Sequence, residues 1–282
     1  MKRAALPLLL LAALLLSGCV QQEAEPSAPP LSETSAPSFS PLPSSSPAPT
    51  SEPTPDPPPP PSPTPAPEPT PDLSPLPDAW FDDAAFFGDS LTVSLMKYCL
   101  SSGDLGEAQF LGEYSLSLKD ALGGGRLIWA GTRQLPLPEA AAACGAGKIF
   151  LLLGNNDLAY YGGVDELMER WERLAALLRE QCPDAVLFLE SALPVYAGAE
   201  REGWNNALMD AYNQRLRSFC EEHEGCVYVD LAPALKDEHN CLDPDLCSDF
   251  FCHLTADGLA VWVRELKDPS NYSVDPRSFD HD

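Results

Sequence analysis

Twenty-two of the 31 prolines in this 282-residue chain fall between Cys19 and Asp78. Proline fixes φ and lacks a backbone N–H, so such a stretch builds neither helix interiors nor sheet ladders. Ser, Thr and Ala fill much of the remainder, and no Lys or Arg occurs between Ala4 and Met96. Too little apolar surface is available to offset the chain entropy that folding would remove. Proline runs such as 57–61 favour polyproline II at about 3.1 Å per residue, so residues 19–78 read as a disordered tether reaching ~150 Å or more when extended. Recognition of its Pro-rich repeats by a partner domain is the alternative reading. Its Ser and Thr content also permits glycosylation.

Residues 1–18 read as an export signal. Lys2 and Arg3 precede an apolar run, 6–16, interrupted only by Pro7, and Leu16-Ser17-Gly18-Cys19 follows. The run is too short for a comfortable membrane span. A cysteine directly after small residues resembles the lipobox of bacterial lipoproteins. That resemblance implies cleavage before Cys19 and lipid on Cys19. The expected protein is anchored to the membrane at the bacterial cell surface, outside the cytoplasm.

Residues 79–282 are one domain's worth of chain. They carry 34 acidic and 15 basic residues. That surplus argues against nucleic acid or anionic lipid as a partner through a broad basic face. Short apolar runs at 84–87, 109–112, 127–131, 148–153, 185–190 and 226–230 have the length of buried strands. Helical spacing separates several of them: 92–100, 165–181 and 205–222, with a last helix at 256–266. Such alternation predicts an α/β fold, a parallel sheet covered on both faces. Ligands then sit at the carboxyl ends of strands. Gly88-Asp89-Ser90 and Gly154-Asn155-Asn156-Asp157 each follow such an end.

Eight cysteines follow Cys19, an even number that permits disulfides in an exported domain. Cys241, Cys247 and Cys252 crowd the segment before His253, where a bridge would brace the loop. Repeated Cys-x-x-Cys pairs are absent from the sequence, which disfavours zinc, and no metal or organic cofactor is expected.

Three separated pieces call for one explanation. Ser90 follows a strand and opens a helix, where backbone N–H groups favour developing negative charge. A serine hydroxyl still needs a base. His253 is the best candidate, because His223 and His239 lie in charged segments and His281 near the end of the sequence. Asp249 is the nearest carboxylate on its N-terminal side, able to orient the imidazole. Asn156 offers a side-chain amide to an oxyanion. Each piece alone is an ordinary turn or cap sequence.

Gly88-Asp89-Ser90-Leu91, Gly154-Asn155-Asn156-Asp157 and His253-Leu254-Thr255, in this order, resemble the GDSL or SGNH hydrolase superfamily across nearly all of residues 80–268. The resemblance implies a flavodoxin-like three-layer α/β/α sandwich with a central parallel sheet. It implies Ser90 as nucleophile with its N–H in the oxyanion hole, Asn156 as a second donor, and His253 as general base and then acid. Two departures stand out. The family usually places Asp three residues before the histidine; here Phe250 holds that place and Asp249 lies four before. A one-residue bulge would still aim Asp249 at His253, and Asp257 is the other nearby acid. The family's oxyanion glycine is assigned to Gly112, with Ser115 as the alternative; Gly123-Gly124-Gly125 reads as a plain loop. Asp157 is expected to brace the turn around Asn156. Tyr160, Tyr161 and the segment 190–196 are expected to line the site.

The expected function is a membrane-tethered serine esterase that acts on an ester-bearing small molecule or polysaccharide through an acyl-enzyme. O-acetyl or short acyl groups on cell-wall or environmental carbohydrate suit the tether. A lipase or thioesterase of the same fold is the alternative. From a different class comes a non-catalytic glycan-binding surface lipoprotein, whose main support is the displaced Asp249.

Overall fold

The computed structural model describes residues 72–160 and 163–279. The expected signal, Cys19 and most of the tether lie outside the described residues. The tether's expected limit at Asp78 runs slightly into the fold: Leu76 is buried, and its N–H donates to Lys267 O at 2.7 Å.

Five short strands form the central sheet: β1 (Ala84–Gly88), β2 (Gln109–Gly112), β5 (Lys148–Leu152), β6 (Val186–Glu190) and β7 (Cys226–Val229). All pairings are parallel and the order is β2-β1-β5-β6-β7. With β3 (Ile128–Ala130) and β4 (Arg133–Leu135) standing outside the sheet, this is the flavodoxin-like order, and it reverses between β1 and β5.

The helices form two outer layers. The helices α2 (Leu137–Cys144), α4 (Val164–Gln181) and α5 (Asn206–Glu222) bury Trp171, Leu178, Tyr212 and Leu216 against Ala85, Phe87, Ile149 and Leu151. On the opposite face α1 (Ser90–Ser102) and α6 (Ala256–Lys267) bury Leu91, Leu95, Trp262 and Leu266 against Ala84, Phe86, Phe150 and Phe188. Alternate strand residues thus feed alternate cores, which is why the strands read as unbroken apolar runs rather than alternating ones.

The sheet register is marked by phenylalanines. Phe110, Phe86, Phe150 and Phe188 are in-register partners on four adjacent strands. Their rings stack at 5.1, 4.4 and 4.6 Å. Each contact contributes roughly 0.5–1.5 kcal/mol beyond burial. A one-residue slip of a strand would move its ring to the other face, so the ladder fixes the levels at which β1 and β5 end.

One expected strand takes a different place. Residues 127–131 do not join the central sheet: β3 (Ile128–Ala130) pairs antiparallel with β4 (Arg133–Leu135) as a separate hairpin. Only Ile128 of β3 is buried and Trp129 is exposed, so the run lacks the two apolar faces a central parallel strand needs. The intervening Gly131 takes φ +62 in the tight turn.

Candidate active site

At the end of β1 the chain turns directly into α1. Gly88 is required there: a Cβ would meet Thr92 Oγ1 at 2.1 Å and Leu152 O at 2.8 Å. Asp89 caps α1, its Oδ1 accepting the N–H of Leu91 at 2.9 Å. Ser90 is therefore the first helical residue. Beside it β5 ends, and α3 (Asn155–Tyr160) begins at once. Asn156, expected in a turn, lies on this short helix. Gly154 takes φ +117 where a Cβ would stand 2.5 Å from the Tyr212 ring.

The third piece is the loop before α6. Cys247 and Leu254 pair as an antiparallel bridge, and the N–H of Ser248 donates to His253 O at 2.8 Å. Asp249 organises the interior of this loop. Its Oδ1 accepts the N–H groups of Phe251, Cys252 and His253 at 2.9, 3.1 and 3.2 Å. The extra residue, Phe250, takes φ +56. This left-handed residue absorbs the displacement of Asp249 by one position.

The pieces converge. Ser90 Oγ lies 2.9 Å from His253 Nε2, and His253 Nδ1 lies 2.6 Å from Asp249 Oδ2. Asp257 stands exposed in the first turn of α6, away from this chain of contacts. Asn156 Nδ2 donates to Asp89 Oδ2 at 2.8 Å and to Leu116 O at 3.1 Å. Among the other histidines, His223 stacks on Phe219 and bonds Glu172, and His239 lies beside Glu238. His281 is outside the described residues.

Electrostatics separate the two aspartates. Asp89 is 3 % exposed, and burial pushes its carboxyl up to about 6, against the opposing pull of the Leu91 N–H and His253. For Asp249, partial burial pushes upward, but the bonds to the His253 ring and to the loop N–H groups outweigh it and hold the carboxyl below its usual value. The Cys252 thiol, also in the wall, is pushed far up by burial and then by Asp89 and Asp249. It stays a neutral thiol and a poor nucleophile.

Asp89, Ser90, Asn156, Cys252 and His253 line a cavity of about 160 Å³ together with Ser115, Asn155, Tyr160, Arg201, Trp204 and Phe251, while Asp249 stands behind the His253 ring. Gly112 is not among the lining residues. It sits at the end of β2 against α1, where a Cβ would press on Val93 Cγ2 at 2.9 Å. Ser115 stands at the wall instead, with φ +55. The N–H groups of Ser90 and Ser115 meet no protein acceptor among the described residues. Asp157 is fully buried and accepts the N–H of Leu118 at 2.7 Å and an Arg170 bond at 3.0 Å, so it braces the segment that presents Ser115. Segment 190–196 does not reach the cavity. Ser191 to Val195 are buried, with Ala192 held by Asn213 and Val195 by Asn206. Tyr161 is outside the described residues.

Arg201 and Trp204 escaped the sequence reading, since they belong to no motif; Arg201-Glu202-Gly203-Trp204 carries only a turn signal at Gly203, and Phe251, though within the histidine stretch, bore no mark of a cavity wall. All eight described cysteines are free thiols, so the loop before His253 is braced by hydrogen bonds rather than by a bridge. Among the described residues, no group of three or more His, Cys, Asp or Glu is placed to hold a metal ion.

The model of the GDSL-like Lipase/Acylhydrolase family matches residues 86–261. The chain belongs to this family. That span holds all three motifs and runs from β1 into α6. Solved structures share the fold. One is a Streptococcus pneumonia protein assigned as a platelet activating factor, 20% identical, covering 67% of this chain and 89% of its own at a TM-score of 0.53. Another is an assigned acylhydrolase from Bacteroides fragilis, 17% identical, covering 65% and 83% at a TM-score of 0.52. A GDSL-like lipase from Bacteroides thetaiotaomicron is 16% identical, covering 65% and 85% at a TM-score of 0.50. No curated protein sequence matches the chain. Membership makes the chain a GDSL-like acylhydrolase, an enzyme acting on ester-bearing substrates.

Proposed function

We propose that this hydrolase is a serine esterase removing short acyl groups, acetyl foremost, from carbohydrate outside the cytoplasm, held to the membrane by lipid on Cys19. The observation that carries the mechanism is the continuous line Ser90 Oγ, His253 Nε2, His253 Nδ1, Asp249 Oδ2, with separations of 2.9 and 2.6 Å at its two hydrogen bonds. Ser90 attacks the ester carbonyl as His253 takes its proton. The imidazolium is stabilised by Asp249. His253 then gives the proton to the leaving alcohol, and the same residue activates the water that releases the acid.

The oxyanion is met by the unengaged N–H groups of Ser90 and Ser115, the latter taking the role expected of Gly112. Asn156 adds a third donor by sharing the hydrogen it gives to Leu116 O, the longer of its two bonds. Asp89 keeps the Asn156 amide turned toward the site. The cavity's about 160 Å³ is close to that of a cavity which takes one benzene ring, roughly 150 Å³. That favours an acetyl or similar group over a long acyl chain. Tyr160 and Phe250, both exposed, offer ring faces on which a sugar can rest.

Hydrolysis of p-nitrophenyl acetate by the full chain, beside Ser90→Ala and His253→Ala, tests the chemistry. Turnover that survives in both variants would sink the serine mechanism. Incorporation of labelled palmitate that is lost in Cys19→Ala tests the anchor; equal labelling of the variant removes it.

A further inference from the structure

Among the described residues lining the cavity, Arg201 is the one permanent cation. It is held from several directions. Arg201 and Trp204 exchange both backbone hydrogen bonds at 3.0 Å, across a turn in which Gly203 takes φ +77. The guanidinium carbon lies 4.5 Å from the Trp204 ring centre and 5.9 Å from that of Phe251. Trp204 is itself buried, stacked on Phe251 at 4.5 Å, and its indole N–H donates to Asn155 O at 3.3 Å. The platform therefore ties the arginine to the end of β5, where Asn156 stands. A guanidinium laid on an aromatic pair is pre-oriented and loses little further freedom on binding.

The charge has no internal use. Among the described residues no Asp or Glu forms an ion pair with Arg201. Neighbouring carboxylates are committed elsewhere. Glu200 Oε1 accepts the N–H and side-chain amide of Asn206 at 2.8 and 3.0 Å. Asp89 is bonded to Asn156, and Asp249 to His253. Glu202, in the turn itself, makes no pair with it. Residues 79–282 hold more than twice as many acidic as basic side chains. An unpaired arginine at the catalytic cavity of so acidic a protein needs a reason. Distant acids do not cancel it for a bound ligand, because screening confines them to about 8 Å at physiological salt.

We propose that Arg201 recognises an anionic oxo-acid group, carboxylate or phosphate, on the alcohol part of the ester, making the enzyme selective for acylated acidic saccharides. This rests on the hydrolase reading above. The alcohol part is the side assigned, because the small enclosed volume takes the acyl group while Arg201 is exposed at the mouth. The planar fork of arginine matches both anions with paired N–H bonds.

The test uses three aryl acetates that differ in one meta substituent, with the full chain: 3-acetoxybenzoate, 3-acetoxyphenyl phosphate and methyl 3-acetoxybenzoate. Each kcat/KM is divided by the substrate's own hydroxide rate. One anion is expected to exceed the neutral ester by about tenfold, and which one does so names the group. The preference is expected to shrink in 0.5 M salt, to fall to about one in Arg201→Gln, and to be partly kept in Arg201→Lys, with the change in KM rather than kcat. Equal values for all three substrates, or a preference that survives Arg201→Gln, overturns the proposal. Binding of the same compounds to Ser90→Ala separates the two readings. A preference for the anion that Arg201→Gln abolishes supports Arg201 even where nothing is turned over, and then the hydrolase reading fails alone. No preference there, with Ser90-dependent hydrolysis intact, removes Arg201 alone.

Discussion

The two halves of the site are built by different physics. The serine half, Asp89, Ser90 and Asn156, sits on the ends of β1 and β5, whose levels are fixed by stacked phenylalanines in the core. The histidine half, Asp249 and His253, sits on a loop before α6 whose form depends on one carboxylate. Asp89 is buried and raised to about 6; Asp249 is over a third exposed and lowered. Burial positions the first half and hydrogen bonding the second. The lesson is that a single substitution can dissolve the histidine half, whereas the serine half changes only with the chemistry of the group replaced.

The largest test of this contrast is Ser90→Ala. Activity on p-nitrophenyl acetate is expected to fall by roughly 10⁴-fold or more. The melting temperature is expected to stay within about 2 °C, because the position is set by the sheet and not by the hydroxyl. A large loss of stability would mean that the serine half is not pre-built.

Next comes Asp249→Ala. It removes the partner of His253 Nδ1 and leaves three loop N–H groups without their acceptor. Activity is expected to fall by roughly 10²–10⁴-fold, with faster proteolysis or amide exchange confined to residues 247–254. Asp257→Ala is expected to stay within about twofold. If Asp257→Ala loses more than Asp249→Ala, the line of contacts through Asp249 is not the working one.

The contrast also explains what the sequence made legible. The serine half was visible because strand, glycine, cap and helix follow one another within a few residues, and each has a local cause. The sheet was visible for the same reason, except at 127–131, where an apolar run with one buried residue imitates a central strand. The histidine half was visible as residue types but not as geometry: only the left-handed Phe250 explains how Asp249 reaches His253 from four residues away. Ser115 was legible only as the alternative to Gly112, because a serine that takes a left-handed conformation leaves no mark in a sequence whereas a glycine invites assignment. Arg201 and Trp204 join the site through a turn and a ring stack, contacts that no spacing announces.

Ionisation offers a third, intermediate test. Folding raises the Asp89 carboxyl from its ordinary 3.8 to about 6, so between these values the folded protein binds more proton than the unfolded chain. The stability this group contributes is present below about pH 4 and is lost as pH rises through 6, an effect of about 2–3 kcal/mol. Thermal melts of the parent are expected to show that decline, and Asp89→Asn to flatten it. Activity is expected to run the opposite way, because the ionised carboxylate is the stronger acceptor for Asn156 Nδ2. Glu190 supplies a control outside the site: fully buried and bonded to Trp262, it is raised to about 8, and Glu190→Gln is expected to flatten the separate decline that ends there. An unchanged melt profile in Asp89→Asn would count against burial as the force that sets the serine half.

The smallest effects come from the one left-handed non-glycine residue that each half carries, Ser115 at φ +55 and Phe250 at φ +56. A side chain held there costs about 1 kcal/mol or more, which glycine relieves, while glycine also enlarges the entropy of the unfolded chain. In Ser115→Gly the two effects nearly offset, and activity is expected to change by less than about threefold, since the segment is pinned by Asp157. Phe250→Gly meets the same balance with no such brace. Its ring is exposed and touches Tyr196 edge-on at 5.5 Å, so little packing is lost. The loop around Asp249 is then free to sample other turns, and kcat is expected to drop about three- to tenfold at nearly constant melting temperature. Equal responses of the two variants would erase the distinction between a half held by the core and a half held by one carboxylate.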